Sequence, residues 1–400
     1  MRKKIFIAIR RIFLIILIYV NVSCHEWGLV DIVNSKGSEK TSGNMNSVVN
    51  ARYQYKGIFV TTGSMNSLRG GHTATLLNDG RVLIAGGTNV NNASGVMSSS
   101  EIYNPSPGVF APGSSMNTVR YLHTATLLKD GRVLIVGGSN GTTALGSAEI
   151  FNPASGTFSL TGSLATARFY PAATLLPDGK VLITGGTPDS IAAFNSAEIY
   201  DPTTGLFTAT AGLMNNARHN HTATLLNNGK VLVAGGMDSS YLMLNSAEIY
   251  DPATGTFTAT GTMNAFRYTH TATLLNNGQV LISGGSDNNI AYASSEIFDA
   301  FTGIFTSTGS MSVARYHHSA TMLNDGSLLI VGGANCSAGV TTTTYASSEI
   351  FYPATGMFSI TGTLMGMRWG QTATLLSNSQ VLITGGFNGT TYLASAELFQ

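Results

Sequence analysis

A repeat of about fifty residues, four β-rich runs in every repeat, and chain ends that are complementary fragments of one repeat predict an all-β fold, a seven-bladed β-propeller with four antiparallel strands per blade. The Gly-Gly pairs that close the second run of each unit begin at 86, 137, 185, 235, 284, 332 and 385. The unit is clearest over Arg218–Gly261: RHNHTATLLNNGKVLVAGG, a variable stretch, then NSAEIYDPATGTFTATG. HTATLL and KVLVAGG meet at Asn228-Gly229, a dipeptide suited to a tight hairpin turn. SAEIY and TFTAT are joined through Asp251-Pro252-Ala253-Thr254-Gly255, where Pro and Gly set the turn. These four runs are strands a, b, c and d of one blade.

The last unit stops after its c run, Ser395–Phe399, and a lone d run, Gly57–Gly63, precedes Arg69. The N-terminal run is therefore expected to complete the last blade and close the ring. A single four-stranded sheet leaves apolar faces uncovered, whereas seven stacked radially bury them and leave only short edges.

The double glycine, the aromatic that follows Glu in strand c and the aromatic in strand d resemble the kelch family over residues 57–400. The tryptophan common in kelch strand d is replaced throughout by Phe59, Phe110, Phe158, Phe207, Phe257, Phe305 and Phe358. The resemblance implies a kelch-type propeller like the central domain of galactose oxidase.

Composition agrees with this class. With 46 glycines, 43% hydrophobic and only 10% charged residues, the chain has the balance of sheets and tight turns and the reverse of a disordered segment. The net charge of +1 hides an asymmetry: residues 1–56 hold nine Lys/Arg and three Asp/Glu, the remainder twelve and seventeen. An acidic body argues against a nucleic-acid partner.

Met1–Arg11 is basic and Ile12–Val20 is an unbroken apolar run, too short to span a bilayer but fitting the core of an export signal. Asn21-Val22-Ser23-Cys24 resembles a bacterial lipoprotein cleavage site, although Asn21 stands where that family prefers Leu. Residues 1–23 are read as a signal peptide, Cys24 as the lipid-attachment site and 24–56 as a flexible tether. Plain secretion and an uncleaved anchor are the alternatives. Arg10-Arg11 also resembles a twin-arginine signal, but the strongly apolar core favours the ordinary secretory route. The expected location is the cell envelope, at the outer membrane or surface, with membrane contact only through the lipid. The protein is expected to be a monomer.

Each repeat carries one Arg (69, 120, 168, 218, 267, 315, 368) and one Glu (101, 149, 198, 248, 296, 349, 397). Catalysis needs a residue once, a scaffold needs it in every blade, so these are expected to be structural, a repeated, partly buried Arg–Glu pair or hydrogen-bond anchor, with a ring of charges around the channel as the alternative. Strand a opens with His72, His123, His221, His270 and His318 in five units and with Pro171 and Gln371 in the others. Repetition favours packing over metal binding here too, and no metal or cofactor is expected. Most aspartates fall in hairpin turns; Asp189, Asp238 and Asp287 instead follow their Gly-Gly pairs on three consecutive blades.

Up-and-down topology puts the d–a connections and the variable b–c loops on one face and the near-uniform a–b and c–d turns on the other. The residues just after each motif Arg also vary and are rich in rings, including Tyr121, Tyr170, His219, Tyr268, His317 and Trp369. Aromatics around a channel mouth suit sugars or peptides, or else pack the neck between blades. With Asp189, Asp238 and Asp287 they form the candidate ligand-binding set. Galactose oxidases use a Tyr-His pair at the start of one a strand and a tyrosine cross-linked to cysteine. The only Tyr immediately before a strand-a opening residue here is Tyr170, which precedes Pro171, and Cys336 is the one cysteine left for a cross-link once Cys24 is acylated. The copper-radical site is not reproduced, and no G-x-S-x-G, H-E-x-x-H or phosphate loop is present. The sequence is read as a non-enzymatic binding or scaffold protein engaging protein or glycan. An extracellular galactose oxidase-like or other carbohydrate-active enzyme is the alternative.

Overall fold

The computed structural model describes residues 57–400 except Asn91 and Ser190. The expected signal peptide, Cys24 and the tether lie outside the described residues. Seven four-stranded antiparallel sheets form the blades, with one extra two-stranded hairpin. Blade 4 shows the pattern: strand a Thr222–Leu225, b Val231–Ala234, c Ala247–Asp251 and d Thr256–Ala259. Each a strand contacts the a strands of both neighbouring blades, and that of blade 7 (Thr372–Leu375) meets that of blade 1 (Thr73–Leu76), so the ring is closed.

Burial follows radial position. Strand b is fully buried in every blade, strand a is half-buried along the channel, and strand d is largely exposed at the rim. Period-2 alternation lets one b strand serve two neighbours. In blade 2, Leu134 and Val136 pack toward Val181 and Ile183 of blade 3, while Val133 and Ile135 pack toward Leu83 and Ala85 of blade 1. The core is thus seven apolar layers between blades rather than one central cluster.

Blade 7 is completed from the N-terminal side, as expected. Phe59–Thr61 pairs antiparallel with Ala396–Phe399 in the register Phe59↔Phe399, Val60↔Leu398 and Thr61↔Glu397. In the other six blades the strand-d Phe stacks on the strand-c aromatic with centroids 4.7–4.9 Å apart. Phe59 and Phe399, at 5.1 Å, reproduce that contact across the closure.

The motif Arg and Glu clamp each d–a connection to its blade. Arg218 donates from one guanidinium nitrogen to the carbonyls of Gly235 (2.7 Å) and Ser246 (3.2 Å), and from the other to Glu248 (2.7 Å). The second Glu248 oxygen accepts from the N–H of Asn215 at 2.6 Å and from its side-chain amide at 2.8 Å. All seven pairs are formed, at 2.7–3.0 Å, with side chains no more than 4% exposed. Burial lowers each Arg pKa and the paired Glu opposes that shift. These charges belong to the scaffold.

Candidate functional site

The strand-a histidines are also scaffold. Each is buried, and its Nε2 meets a hydroxyl of the preceding blade: His72 with Thr384 (3.1 Å), His123 with Thr73 (3.0 Å), His221 with Thr184 (2.8 Å), His270 with Thr222 (3.0 Å) and His318 with Thr271 (3.0 Å). Gln371 takes the same place, donating to the Val331 carbonyl at 2.7 Å. Burial holds His72 and His270 down to about 3, so they are neutral inter-blade struts.

The mouth of the channel is built by the two residues after each motif Arg. The first pairs with the residue that follows the Gly-Gly of its own blade, as Tyr121 does with Ser139 and Trp369 with Phe387. The second is left-handed in all seven blades: Gly71, Leu122, Tyr170, Asn220, Thr269, His317 and Gly370 have φ between 50° and 63°. This turn aims its N–H at the corresponding carbonyl of the preceding blade, as in Leu122 to Gly71 (2.9 Å), Tyr170 to Leu122 (3.2 Å), Thr269 to Asn220 (3.2 Å), His317 to Thr269 (3.2 Å) and Gly370 to His317 (3.0 Å). A girdle of backbone hydrogen bonds therefore runs around the mouth across five of the seven junctions, those from Tyr170 to Asn220 and from Gly370 to Gly71 excepted. The conformation costs a non-glycine residue about 1–2 kcal/mol. Five blades carry a side chain there anyway, β-branched Thr269 included. Nothing in the one-dimensional pattern flags this girdle except glycine at two of the seven positions.

Four of the six rings named from sequence collect into two groups, and Tyr121 and Tyr268 join neither. On blades 3 and 4, Tyr170 stacks with His219 at 6.4 Å. On blades 6 and 7, His317 lies 5.1 Å from Trp369, which meets Phe387 edge-on at 5.6 Å, and Phe387 meets Tyr392 at 5.0 Å. Phe387 and Tyr392 were missed in the sequence because they sit in a b–c loop rather than beside a motif Arg. Tyr392 fills the room left by Gly70, where a Cβ would come within 2.4 Å of its ring. A glycine at a position occupied by rings in the other six blades was the available signal.

Burial raises the Tyr170 phenol pKa, and Tyr121, Tyr392 and Tyr268 raise it further. Tyr268 is pushed up to about 12, mainly by burial. Burial pulls His219 down to about 4 against the opposing charge of Asp238, and His317 to about 4 as well. The rings of the mouth are therefore uncharged near pH 7 and can stack and hydrogen-bond, while the Asp238 and Asp287 carboxylates lie in the loops beside them.

Asp189, Asp238 and Asp287 sit on the b–c loops, and each organises its own loop. Asp189 Oδ1 accepts from the N–H groups of Ile191 and Ala192, Asp238 Oδ1 from Ser240 and Leu242, and Asp287 Oδ1 from Asn289 and Ile290. Asn140 and Asn388 play this part on blades 2 and 7. The expectation that these aspartates are free of turn duty is corrected: they are loop caps, a local competition for backbone N–H groups that Asp and Asn favour.

The kelch motif family model matches residues 120–164 and 217–264. No curated protein matches the chain. Among solved structures the chain is similar to a fungal alcohol oxidase with catalytic diversity among the AA5 family, solved in complex with copper. Identity is 19%, the TM-score is 0.74, and the match covers 86% of this chain and 76% of that one. At that identity the likeness is one of fold. The residues here do not fit a copper centre: the strand-a histidines are tied to hydroxyls, and Cys336 Sγ lies 3.2 Å from Ser286 Oγ. Among the described residues no three His, Cys, Asp or Glu converge on a point that could hold a metal ion.

Proposed function

We propose, from the premise that the chain is a kelch-repeat β-propeller, that it is a non-enzymatic binding or scaffold protein engaging protein or glycan through its b–c loop face. The observation that carries this reading is the division of labour between repeated and unrepeated residues. Every Arg, Glu and strand-a His in the repeat is consumed by contacts within or between blades. What differs from blade to blade is a mouth of uncharged rings and its surrounding loops. Binding residues gather on loops held by a rigid scaffold because change there does not cost the fold.

The sequence adds a location. The signal-like N-terminus and Cys24 support export and lipid anchoring at the envelope.

The experiment is a glycan array with a parallel pull-down on the purified protein, repeated with two variants. Tyr268→Ala with Trp369→Ala alters the loop face; Asp201→Ala with Asp251→Ala alters the opposite face. Capture lost only in the loop-face variant supports the reading. Capture lost only in the turn-face variant, with both proteins folded, refutes it.

A further inference from the structure

We infer that the cleft between blades 6 and 7, beside Trp369, is a binding site for a neutral oligosaccharide; this deepens the loop-face reading and rests on it. The cleft has a volume of about 610 Å³. Among the described residues one wall has no counterpart on the other blades. The b–c loop of blade 6 forms a hairpin, Ala334–Ser337 with Val340–Thr344, turning through Ala338 and Gly339 at positive φ.

That hairpin is held in place before any ligand arrives. Ala334 pairs with Tyr316, and Ser337 bridges to Ile290 of blade 5. The Tyr316 hydroxyl lies 2.5 Å from Thr341 Oγ1. Its second strand is an edge, and four consecutive threonines, Thr341–Thr344, line the cleft. The opposite wall is the blade 7 loop, from Phe387 to Thr390. It too is fixed, since Asn388 Oδ1 accepts from the N–H groups of Thr390 and Thr391. Between the walls stand Met367, half exposed, and Trp369, whose indole is braced by His317 and Phe387. Walls already ordered reduce the entropy lost on binding.

The lining chooses the ligand class. It contains hydroxyls, one carboxamide, two aromatic rings and a thioether, and no ionisable side chain. A charged ligand would lose water there and gain no counter-charge. Hydroxyls both donate and accept, as sugar hydroxyls do, and an indole offers an apolar face to the C–H face of a pyranose. An open trough between two loops admits a chain of rings. On the opposite face the groove between blades 4 and 5 is lined by Asn227, Asn277, Gln279 and Phe301 but also by the Asp299 carboxylate, and two others are different in kind. They recur at equivalent positions between blades 1 and 2 and between blades 2 and 3, and they carry charged side chains such as Asp79, Arg81, Asp130 and Arg132. Trp369 is also the only tryptophan in residues 57–400.

The test uses the full chain with Trp27→Phe, so that emission comes from Trp369 alone. Maltohexaose, cellohexaose, xylohexaose and chitohexaose are titrated in turn, with hexagalacturonic acid as the charged comparison. At least one neutral hexasaccharide is expected to change the emission saturably, and the acidic one is not. Calorimetry should show that Trp369→Ala weakens that binding at least about tenfold while Trp369→Phe retains it, consistent with a stacking platform. Thr343→Asp, which puts a charge on the wall, should weaken it similarly at an unchanged melting temperature. Failure of all four neutral sugars to bind overturns the inference. So does sugar binding that survives both Trp369→Ala and Thr343→Asp, or a linear peptide occupying the cleft in their place. Sugar binding lost with Tyr121→Ala or Tyr268→Ala but not with Trp369→Ala sinks the cleft and leaves the loop-face reading standing. Binding that moves with none of these variants and is lost on changing Asp201 and Asp251 sinks both.

Discussion

Removing Glu248 should destabilise the ring by several kcal/mol. Glu248→Ala strands the guanidinium of Arg218, which is fully buried and keeps only carbonyl and Ser246 hydroxyl partners. It also deprives the N–H groups of Asn215 and Asn216 of their acceptor. Breaking a buried pair from one side costs about 3–5 kcal/mol, because the surviving charge has neither water nor counter-charge. Unfolding the 344 residues from 57 to 400 carries roughly 0.7 kcal/mol per kelvin of entropy, so the melting temperature should fall by about 4–7 °C. Differential scanning calorimetry reads this directly. Arg218→Met with Glu248→Leu, which removes both charges, should recover a large part of the loss. Lys230→Ala, which breaks the solvent-exposed pair with Asp251, should leave the midpoint within about a degree of the parent. A Glu248→Ala protein melting with the parent would refute the clamp.

Three further outcomes follow from the same contacts. Stability should fall with acid: above about pH 6.5 the strand-a histidines are neutral in both states, but below it the unfolded chain binds protons that the folded ring refuses. The loss is about 1.4 kcal/mol per pH unit for each such histidine, continuing toward the folded value of about 3 for His72 and His270. His270→Gln, copying Gln371, should make the fall shallower, and equal melting temperatures at pH 7 and pH 5 would contradict the neutral-strut assignment. Phe59→Ala removes a ring that is 6% exposed at the closure and should cost about 3–5 kcal/mol in denaturant titration; a loss under about 1 kcal/mol would count against closure by this strand. Mass spectrometry of the mature protein should find acyl chains on Cys24, and a soluble form beginning at another residue would exclude the anchor.

Most of the architecture was legible because a repeat reports each constraint seven times. The Asn-Gly and Asp-Pro turns, the strand-c and strand-d aromatics and the solitary Gly57–Gly63 run were enough to set strand order and closure. Repetition alone marked Arg218 and Glu248 as structural, since a charge present in every blade must be satisfied in every blade, but it left a mutual pair and separate hydrogen-bond anchors both open. Less of the candidate site could be read. Tyr392 reaches the mouth from a loop of blade 7 into space beside Gly70, a contact between residues more than three hundred positions apart. The blade 6 hairpin arises in an irregular loop, where Thr341–Thr344 has strand character but no preceding apolar alternation to announce it. The misjudged aspartates show the converse: Asp238 looked unassigned because its backbone partners, Ser240 and Leu242, lie in a segment without regular structure.

The central claim is that repeated residues hold the ring while unrepeated ones bind, and one paired measurement separates the two. Glu248→Gln and the double variant Tyr268→Ala with Trp369→Ala are compared with the parent for melting temperature and, well below it, for capture of whatever ligand the array or pull-down identifies. The account predicts that Glu248→Gln melts earlier and still binds, whereas the double variant stays folded and does not bind. Loss of binding in Glu248→Gln while it is folded, together with full binding in the double variant, would contradict it.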